Sequence, residues 1–156
     1  MANLAAIVAN RGYYYVPHVV KRIHDRDSMN VRFYERHTTM VDRAYFDPIV
    51  EGMWRAVHRA GGTAGVARVE GLDICGKTGT AQNPHGADHS TFLCFAPREN
   101  PRIALSVYIE NGRSGATIAA PIASLIIEKY LTDTIRRPEL VDYVKKMQIA
   151  YPVYDR

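Results

Sequence analysis

The second half of the chain contains three strand-like segments followed by a helix, and this order restricts the fold more than any other feature. The second segment is apolar on both faces, as a central strand should be, and the third alternates along its length. The segments are Leu72 to Gln82, Phe92 to Ala96 and Ile103 to Ile109, before a turn at Asn111-Gly112 and a helix from about Ala120 to Leu131. This order predicts an α+β fold in which helices pack on a mainly antiparallel sheet.

Further elements are predicted in the first half and at the end of the chain. A helix over Met1 to Asn10 ends with Gly12 in a left-handed cap. Asp47-Pro48 supplies an N-cap and a first-turn proline for a second helix, which ends at Gly61-Gly62. The remaining predicted elements are a strand at Tyr13 to Val16, two strands at His18 to Ile23 and Val31 to Glu35 around a turn at Asp25 to Asn30, and a short polar helix from Arg136.

Two of the helices have predicted inner faces. The helix after Asp47 carries an apolar stripe at helical spacing, and the helix around Ala120 to Leu131 has Pro121 in its first turn. The stripe of the earlier helix consists of Ile49, Val50, Met53, Trp54 and Val57, and the inner side of the later one consists of Ile118, Ile122, Leu125 and Ile126. We expect these side chains to be buried against the sheet.

Composition excludes several classes of protein. The chain has 156 residues, of which 47% are hydrophobic and 23% charged, so it can bury a core and is not disordered. Its formal net charge is +4, but the basic residues alternate with acids, as in the run from Lys21 to Asp27. A nucleic-acid-binding domain gathers its basic residues on one face, so we predict no nucleic-acid partner.

The start of the sequence resembles a helix that is already under way. No N-cap precedes it, and no signal peptide can be recognised there. No stretch of the sequence approaches the roughly 20 apolar residues that a membrane-spanning helix needs. We therefore expect the chain to begin inside a fold, without a targeting or transmembrane segment of its own.

The two cysteines, Cys75 and Cys94, do not form a disulfide framework. Each lies in an apolar run, so small buried hydrophobic side chains are the simplest interpretation. A cross-strand disulfide is the alternative.

The run Gly76 to Gln82 carries the chemistry and has two interpretations. Gly71 to Thr78 fits the phosphate-loop pattern G-x-x-x-x-G-K-[ST], which would indicate nucleotide binding. That pattern requires a glycine-rich loop followed at once by a helix, whose N-terminal amides hold the phosphates. Here the middle of the pattern is Leu-Asp-Ile-Cys, which favours a strand, and Gly79 and Pro84 would interrupt the helix. We therefore retain a nucleotide-binding protein only as a remote alternative.

The second interpretation places Lys77, Thr78, Gly79 and Thr80 on an exposed strand edge. A peptide can pair with such an edge, and Gly79 would let it approach closely. Lys77 would attract a terminal carboxylate, and the hydroxyls of Thr78 and Thr80 could donate hydrogen bonds to it. The backbone N–H of Thr80 could form one arm of an oxyanion hole. We predict that these residues bind substrate and that Lys77 and Thr80 also act in catalysis.

Several stretches together resemble class B penicillin-binding proteins, in particular their elongation type, penicillin-binding protein 2. Lys-Thr-Gly is one of the motifs that these proteins share with β-lactamases. The resemblance extends from about Met1 to Leu131. The matching stretches are Ala5 to Gly12, Pro17 to Val20, Gly76 to Gln82, Phe92 to Pro97, Asn100 to Ala104, Glu110 to Gly112 and Ala119 to Ala123, and the elongation type is suggested by Asn83 to Gly86 together with Asn111-Gly112.

The resemblance implies a penicillin-binding, β-lactamase-like transpeptidase fold and a serine D,D-transpeptidase. Such an enzyme cross-links peptidoglycan stem peptides, is acylated by β-lactams, and uses neither a metal nor an organic cofactor. It would face the periplasm from the bacterial inner membrane and work with the cell-elongation machinery. We expect residues 1–131 to be the C-terminal portion of the transpeptidase domain and residues 132–156 to be a polar, partly helical tail.

Two of the family's three catalytic motifs have no counterpart in this sequence. No serine is followed by a lysine three positions later, so S-x-x-K is absent, and the nucleophile and its base are missing. Only Ser28-Met29-Asn30 has the letters of S-x-N, and it lies in a charged turn at the wrong place in the chain order. We therefore predict that the isolated chain is inactive and prone to self-association, because it lacks the N-terminal half of the domain. The alternative function is a non-catalytic binding or scaffold domain of the same fold.

The loop after Gln82 contains a second group of candidate residues. His85, Asp88 and His89 could suggest a metal site, but they have no fourth ligand at helical spacing, and a solvated loop is the simpler interpretation. Because the resemblance puts this loop near the mouth of the active site, His89 or Ser90 is expected to contact substrate.

Overall fold

The computed structural model describes residues 1–21 and 30–149. The described part contains four helices, five strands and three short 3-10 turns. The helices are α1 (Ala2–Ala9), α2 (Phe46–His58), α3 (Ala119–Thr132) and α4 (Pro138–Lys146). The strands are β1 (Tyr13–Tyr14), β2 (His37–Thr38), β3 (Cys75–Ala81), β4 (His89–Ala96) and β5 (Ile103–Ile109), and the 3-10 turns are Val31–Phe33, Arg43–Tyr45 and Gly65–Ala67.

The main sheet is antiparallel in the order β3-β4-β5, which confirms the predicted α+β fold. The strand that is apolar on both faces, β4, lies in the centre, because its side chains are covered from both sides. Within the described residues β3 is an edge strand of this sheet, so one side of its backbone is left without a partner strand.

Helices cover both faces of the sheet. On one face, α1 and α2 pack against side chains of β3 and β4, including Cys75 and Phe95. On the other face, α3 packs against Phe92 and Cys94 through small residues that let the helix approach closely. The small residues of α3 in this core are Ala119, Ala120 and Ala123, all fully buried.

The two cysteines lie on opposite faces of the sheet, and both thiols are free. Cys75 stands opposite Phe95 and Cys94 stands opposite Gly76, so the two side chains point away from each other and cannot bridge. Burial raises the pKa of Cys75 to about 12 and raises the pKa of Cys94 as well. The interpretation as buried hydrophobic residues is confirmed.

Helix α2 begins earlier than predicted. Its first residue is Phe46, and a 3-10 turn leads into it. The side chain of Asp42 accepts the N–H of Ala44 at 2.9 Å and caps this 3-10 turn. Helix α2 itself has Tyr45 at its N-cap and no side-chain cap, so the predicted cap by Asp47 was wrong. The predicted stripe is correct for Val50, Met53 and Val57, but Ile49 is exposed, because the buried Phe46 occupies the inward position one turn earlier.

The inner face of helix α3 agrees only in part with the predicted one. Pro121 lies in the first turn as expected, Ile118 and Leu125 are buried as predicted, and Ile122 is half-buried. Ile126 is 45% exposed, whereas Ile127 is fully buried. The inner face is rotated by one position because the helix approaches the sheet along its alanines.

The predictions for the segment after α1 were mostly wrong. Of the predicted strand Tyr13 to Val16, Tyr13 and Tyr14 alone form β1, which pairs with His37 and Thr38 of β2. Val31–Phe33 is a 3-10 turn, because the side chain of Asn30 accepts the N–H of Arg32 and stabilises a turn instead of a strand. His18 to Lys21 form no strand, and the rest of that predicted segment, with most of the predicted turn, falls outside the described residues.

The end of α1 has a left-handed conformation at two residues. Gly12 has a φ of 106° as expected, but Arg11 also has a positive φ, of 57°. The N–H of Gly12 donates to the carbonyl of Ile7 at 2.9 Å and closes the helix.

The predicted polar tail packs back on the domain. Helix α4 starts at Pro138, and the hydroxyl of Tyr143 donates to the carbonyl of Thr117 at 3.2 Å. A buried ion pair between Glu128 and Arg137, at 2.9 Å, joins α3 to the segment before α4. No helix in residues 1–21 and 30–149 has the length and apolar character of a membrane span.

Candidate functional site

Lys77, Thr78, Gly79 and Thr80 form the middle of edge strand β3. The strand continues beyond them to Ala81, which pairs with His89 on β4. The strand interpretation is therefore confirmed, and the phosphate-loop interpretation is wrong, because no helix follows Lys77-Thr78. The edge position leaves this stretch accessible to another extended chain.

Alternation along β3 separates the polar side chains of the motif. Lys77 shares its face with Leu93 and Ser106 of the neighbouring strands, while Thr78 and Thr80 point to the other face. Lys77 is exposed, and its ammonium group donates to the carbonyl oxygen of Thr78 at 2.5 Å. The ammonium group therefore lies against the backbone of Thr78.

Thr78 has a partner that the sequence did not reveal. Its hydroxyl lies 3.2 Å from the hydroxyl of Thr63, in the connection between α2 and β3. Thr78 is half-buried and Thr80 is exposed, so both hydroxyls can be reached from the edge. Gly61-Gly62-Thr63 was predicted only as the end of a helix, and nothing in that pattern points to β3.

Gly79 is required by its own sheet. A Cβ atom at this position would collide with the Thr91 hydroxyl on β4. On the opposite side, Gly115 packs directly on the backbone of Gly79 and Thr91. The close approach of a substrate peptide is therefore not the only reason for a glycine at this position.

Ser90 lies on β4 opposite Thr80, with its side chain turned into the protein. It is fully buried, and its hydroxyl donates to the carbonyl of Ser114 at 2.8 Å and accepts the N–H of Ala119 at 3.2 Å. Of the two residues expected to contact substrate, Ser90 is covered by the start of α3, and contact through His89 stays a prediction. Ser90 instead ties the start of α3 to the sheet.

The loop between β3 and β4 is joined to the connection after β5. The side-chain amide of Asn83 donates to the Asn111 side chain at 2.8 Å, and Asp88 accepts the N–H of Asn83 at 3.2 Å. His89 accepts the N–H of Asn111 through Nδ1 at 3.0 Å. Among the residues that the structure describes, no three acidic, histidine or cysteine side chains come together to hold a metal. The polar groups of this loop serve its own packing.

A large cavity lies elsewhere and is bordered by no residue of β3. It measures about 860 Å³ and is bordered by Arg11, Arg43 and Arg98 together with Asp47 and Glu99. The guanidinium of Arg11 donates to the carbonyl of Ala9 at 2.7 Å and lies 3.6 Å from the Asp47 carboxylate. The charged side chains around this cavity are largely paired within the protein. The candidate site remains the edge of β3.

Comparison with known proteins identifies the family of this domain. Residues 1–128 match the penicillin binding protein transpeptidase domain. The peptidoglycan D,D-transpeptidase MrdA of Haemophilus influenzae is 29% identical over an alignment of 164 residues, covering 92% of this chain and 24% of that protein. The peptidoglycan D,D-transpeptidase PbpA of Mycobacterium tuberculosis is 29% identical over 146 residues, covering 83% and 28%. This chain thus spans about a quarter of the length of these curated relatives.

Solved structures agree with this assignment. Pseudomonas aeruginosa PBP2 in complex with WCK 5153 superposes with a TM-score of 0.70 and 37% identity, over 85% of this chain and 29% of that one. The imipenem acyl-enzyme of penicillin-binding protein A from M. tuberculosis superposes with a TM-score of 0.67 and 31% identity, over 84% and 30%. The chain belongs to the family of penicillin-binding protein transpeptidase domains.

Proposed function

We propose that this chain forms one wall of the active site of a peptidoglycan D,D-transpeptidase. The observation that carries the proposal is the position of Lys77-Thr78-Gly79-Thr80 on an exposed edge of the sheet in a member of this family. An extended stem peptide can pair with that edge through its backbone, as in other β-augmentation complexes.

Recognition of the substrate would rest on its terminal carboxylate. The Lys77 ammonium supplies positive charge beside the edge, and the hydroxyls of Thr78 and Thr80 can donate to the carboxylate oxygens. A β-lactam with a ring carboxylate would use the same contacts. The homologous penicillin-binding protein A has been captured as an imipenem acyl-enzyme, which supports the same chemistry for this family.

The reaction would need a serine from a part of the protein outside this sequence. Its hydroxyl oxygen would attack the penultimate carbonyl of the stem peptide, and the serine proton would pass to a base and then to the leaving amine. The terminal residue would depart as the C–N bond breaks, leaving an acyl-enzyme. An amine of a neighbouring strand would then attack this ester and release the serine. The Thr80 N–H could stabilise the oxyanion in both steps.

The cellular setting is part of the proposal. The similarity to MrdA and PBP2 supports the elongation type of transpeptidase. We place the whole protein in the inner membrane, facing the periplasm, together with the cell-elongation machinery. The remainder of the transpeptidase domain would be the immediate partner of this chain.

A non-catalytic binding or scaffold domain is the second candidate function. The absence of S-x-x-K, and of an S-x-N at the family's place in the chain order, favours it for this chain taken alone. The coding sequence upstream separates the two candidates, because an S-x-x-K motif there would supply the nucleophile and its base and favour the enzyme.

Replacement of Lys77 tests the proposal directly. In the full-length protein, Lys77→Ala should slow acylation by a penicillin at least about a hundredfold, because a charged group at the reaction centre is lost. Thr80→Val should slow it less, since the Thr80 N–H remains. The second-order rate constant for acylation by a fluorescent penicillin is the measurement. A near-normal rate for Lys77→Ala would refute the assignment of the motif.

A further inference from the structure

The hydroxyl of Thr78 cannot serve two acceptors at once. A threonine hydroxyl has one proton to donate and two lone pairs that accept. In the structure the Thr78 hydroxyl donates to the Thr63 hydroxyl across 3.2 Å. An ionised carboxylate can only accept hydrogen bonds, so a carboxylate beside Thr78 must accept one from the Thr78 hydroxyl. Thr63 then has to reverse its own hydroxyl and donate to Thr78, because two facing hydroxyls without a proton between them would repel.

Thr63 is held in place by its neighbours on both sides. The N–H of Gly62 donates to the carbonyl of Arg59 at 3.0 Å, and the N–H of Ala64 donates to the carbonyl of Ala56 at 2.9 Å. Gly62 leaves no room for a side chain, because a Cβ atom there would collide with the backbone of α2. Ala64 is fully buried in the core beneath α3. The backbone of Thr63 is therefore anchored, although its side chain is exposed.

We propose that Thr63 is a positioning residue for carboxylate recognition. It aligns the Thr78 hydroxyl and, when a ligand carboxylate binds, donates to Thr78 so that the Thr78 proton points at the ligand. The two hydroxyls form a chain of hydrogen bonds that ends on a charged acceptor, and each bond of such a chain strengthens the next. This inference rests on the proposed function of β3 and adds a residue 15 positions upstream.

The test compares substitutions at Thr63 in the full-length protein. Thr63→Val keeps the shape and removes the hydroxyl, and it should reduce the second-order rate constant for acylation by benzylpenicillin about tenfold. Thr63→Ser keeps the hydroxyl and should restore most of the rate. Thr38→Val, at an exposed threonine of β2, is the matched control and should leave the rate unchanged.

A double-mutant cycle separates positioning from a general structural effect. In a Thr78→Val background, Thr63→Val should have almost no further effect, because the hydroxyl that it aligns is gone. Three outcomes would each overturn the inference. Thr63→Val could slow acylation equally with and without the Thr78 hydroxyl, Thr63→Val could leave the acylation rate normal, or Thr63→Ser could fail to restore that rate. If the unmodified full-length protein is not acylated at all, the proposed function fails and the inference fails with it.

Discussion

At the scale of single residues, Gly79 shows how the sheet constrains the motif. Gly79 lies within β3, and both sides of its backbone are occupied. The Thr91 side chain lies where a Cβ atom would be, and Gly115 covers the opposite side. The edge of β3 is therefore flat and closely supported at the position where a substrate peptide would pair with it.

Gly79→Ala is predicted to destabilise the domain through the contact with Thr91. The new methyl group would force the Thr91 hydroxyl to move, and overpacking of this kind typically costs about 1–3 kcal/mol. The Cβ atom of Thr91 lies at an ordinary contact distance of 3.7 Å from the new methyl group, so Thr91→Ala should relieve most of the cost. Urea-induced unfolding of both single variants and of the double variant measures the coupling. A double variant as unstable as the sum of the two singles would contradict this account.

We predict that the burial of His58 makes the domain less stable at low pH. Burial lowers the pKa of His58 below its usual value of 6.5, against the opposing charge of Asp73. Its ring stacks on Trp54 with centroids 5.0 Å apart, and its buried Nε2 has no hydrogen-bond partner. Because the unfolded chain takes up this proton first, the contribution of His58 is complete above pH 6.5 and is lost as the pH falls through its folded-state pKa.

The measurement is the free energy of unfolding between pH 7.5 and roughly pH 5, within the range where an unperturbed histidine titrates. His58→Phe keeps the aromatic stacking on Trp54 and removes the titrating group. We expect the variant to lose less stability than the parent chain over this range. Identical pH profiles for the two proteins would exclude a role for His58.

At the scale of elements, α3 and α4 are joined through one buried carboxylate. Glu128 is only 2% exposed, and its two oxygens accept the N–H of Arg136 at 3.0 Å and the guanidinium of Arg137 at 2.9 Å. The same guanidinium donates to the Ser124 hydroxyl at 3.1 Å. The segment that leads into α4 is thereby fixed against α3.

Removal of the Arg137 guanidinium should lower the free energy of unfolding. Arg137→Met leaves the Glu128 carboxylate buried without its charged partner, and breaking such a pair typically costs about 3–5 kcal/mol. Glu128→Leu combined with Arg137→Met removes both charges and should be clearly more stable than Arg137→Met alone. Chemical denaturation compares the three proteins. If the double variant were the less stable, the pair would contribute more than its desolvation cost.

At the scale of the whole molecule, this chain holds the proposed substrate-binding residues on one edge of its main sheet. Of its five serines, Ser90 and Ser124 are fully buried in the structure, and none of the five has a lysine three positions later. Within the described residues, the edge of β3 has no partner strand, and Tyr108 on β5 is 50% exposed. An open sheet edge favours pairing between chains.

We expect the isolated chain to fold but to form no covalent adduct with a fluorescent penicillin. Acylation requires a hydroxyl activated by a base within hydrogen-bond reach, and no serine of this sequence has one at helical spacing. Intact-mass spectrometry after incubation is the measurement. A stoichiometric gain of the penicillin mass on any serine would show that the catalytic centre lies within these residues. Sedimentation velocity at increasing concentration should show self-association.

Local patterns in the sequence determined the order of β3, β4, β5 and α3 and the strand character of Lys77-Thr78-Gly79-Thr80. These features depend on alternation and on glycine and proline positions a few residues apart, so they can be predicted without the fold. The short-range patterns failed after α1, where the Asn30 side chain stabilises a turn in place of the predicted strand.

Only the tertiary structure decided which residues surround the motif. Thr63 meets Thr78 across 15 positions, Ser90 meets Ser114 and Ala119 across 24 and 29, and no local period encodes such contacts. The inner face of α3 was displaced to Ile127 for the same reason, because the close approach of its alanines to the sheet set the rotation of the helix. Side chains far apart in sequence come together only when the layers pack, so the surroundings of the site depend on the packed fold.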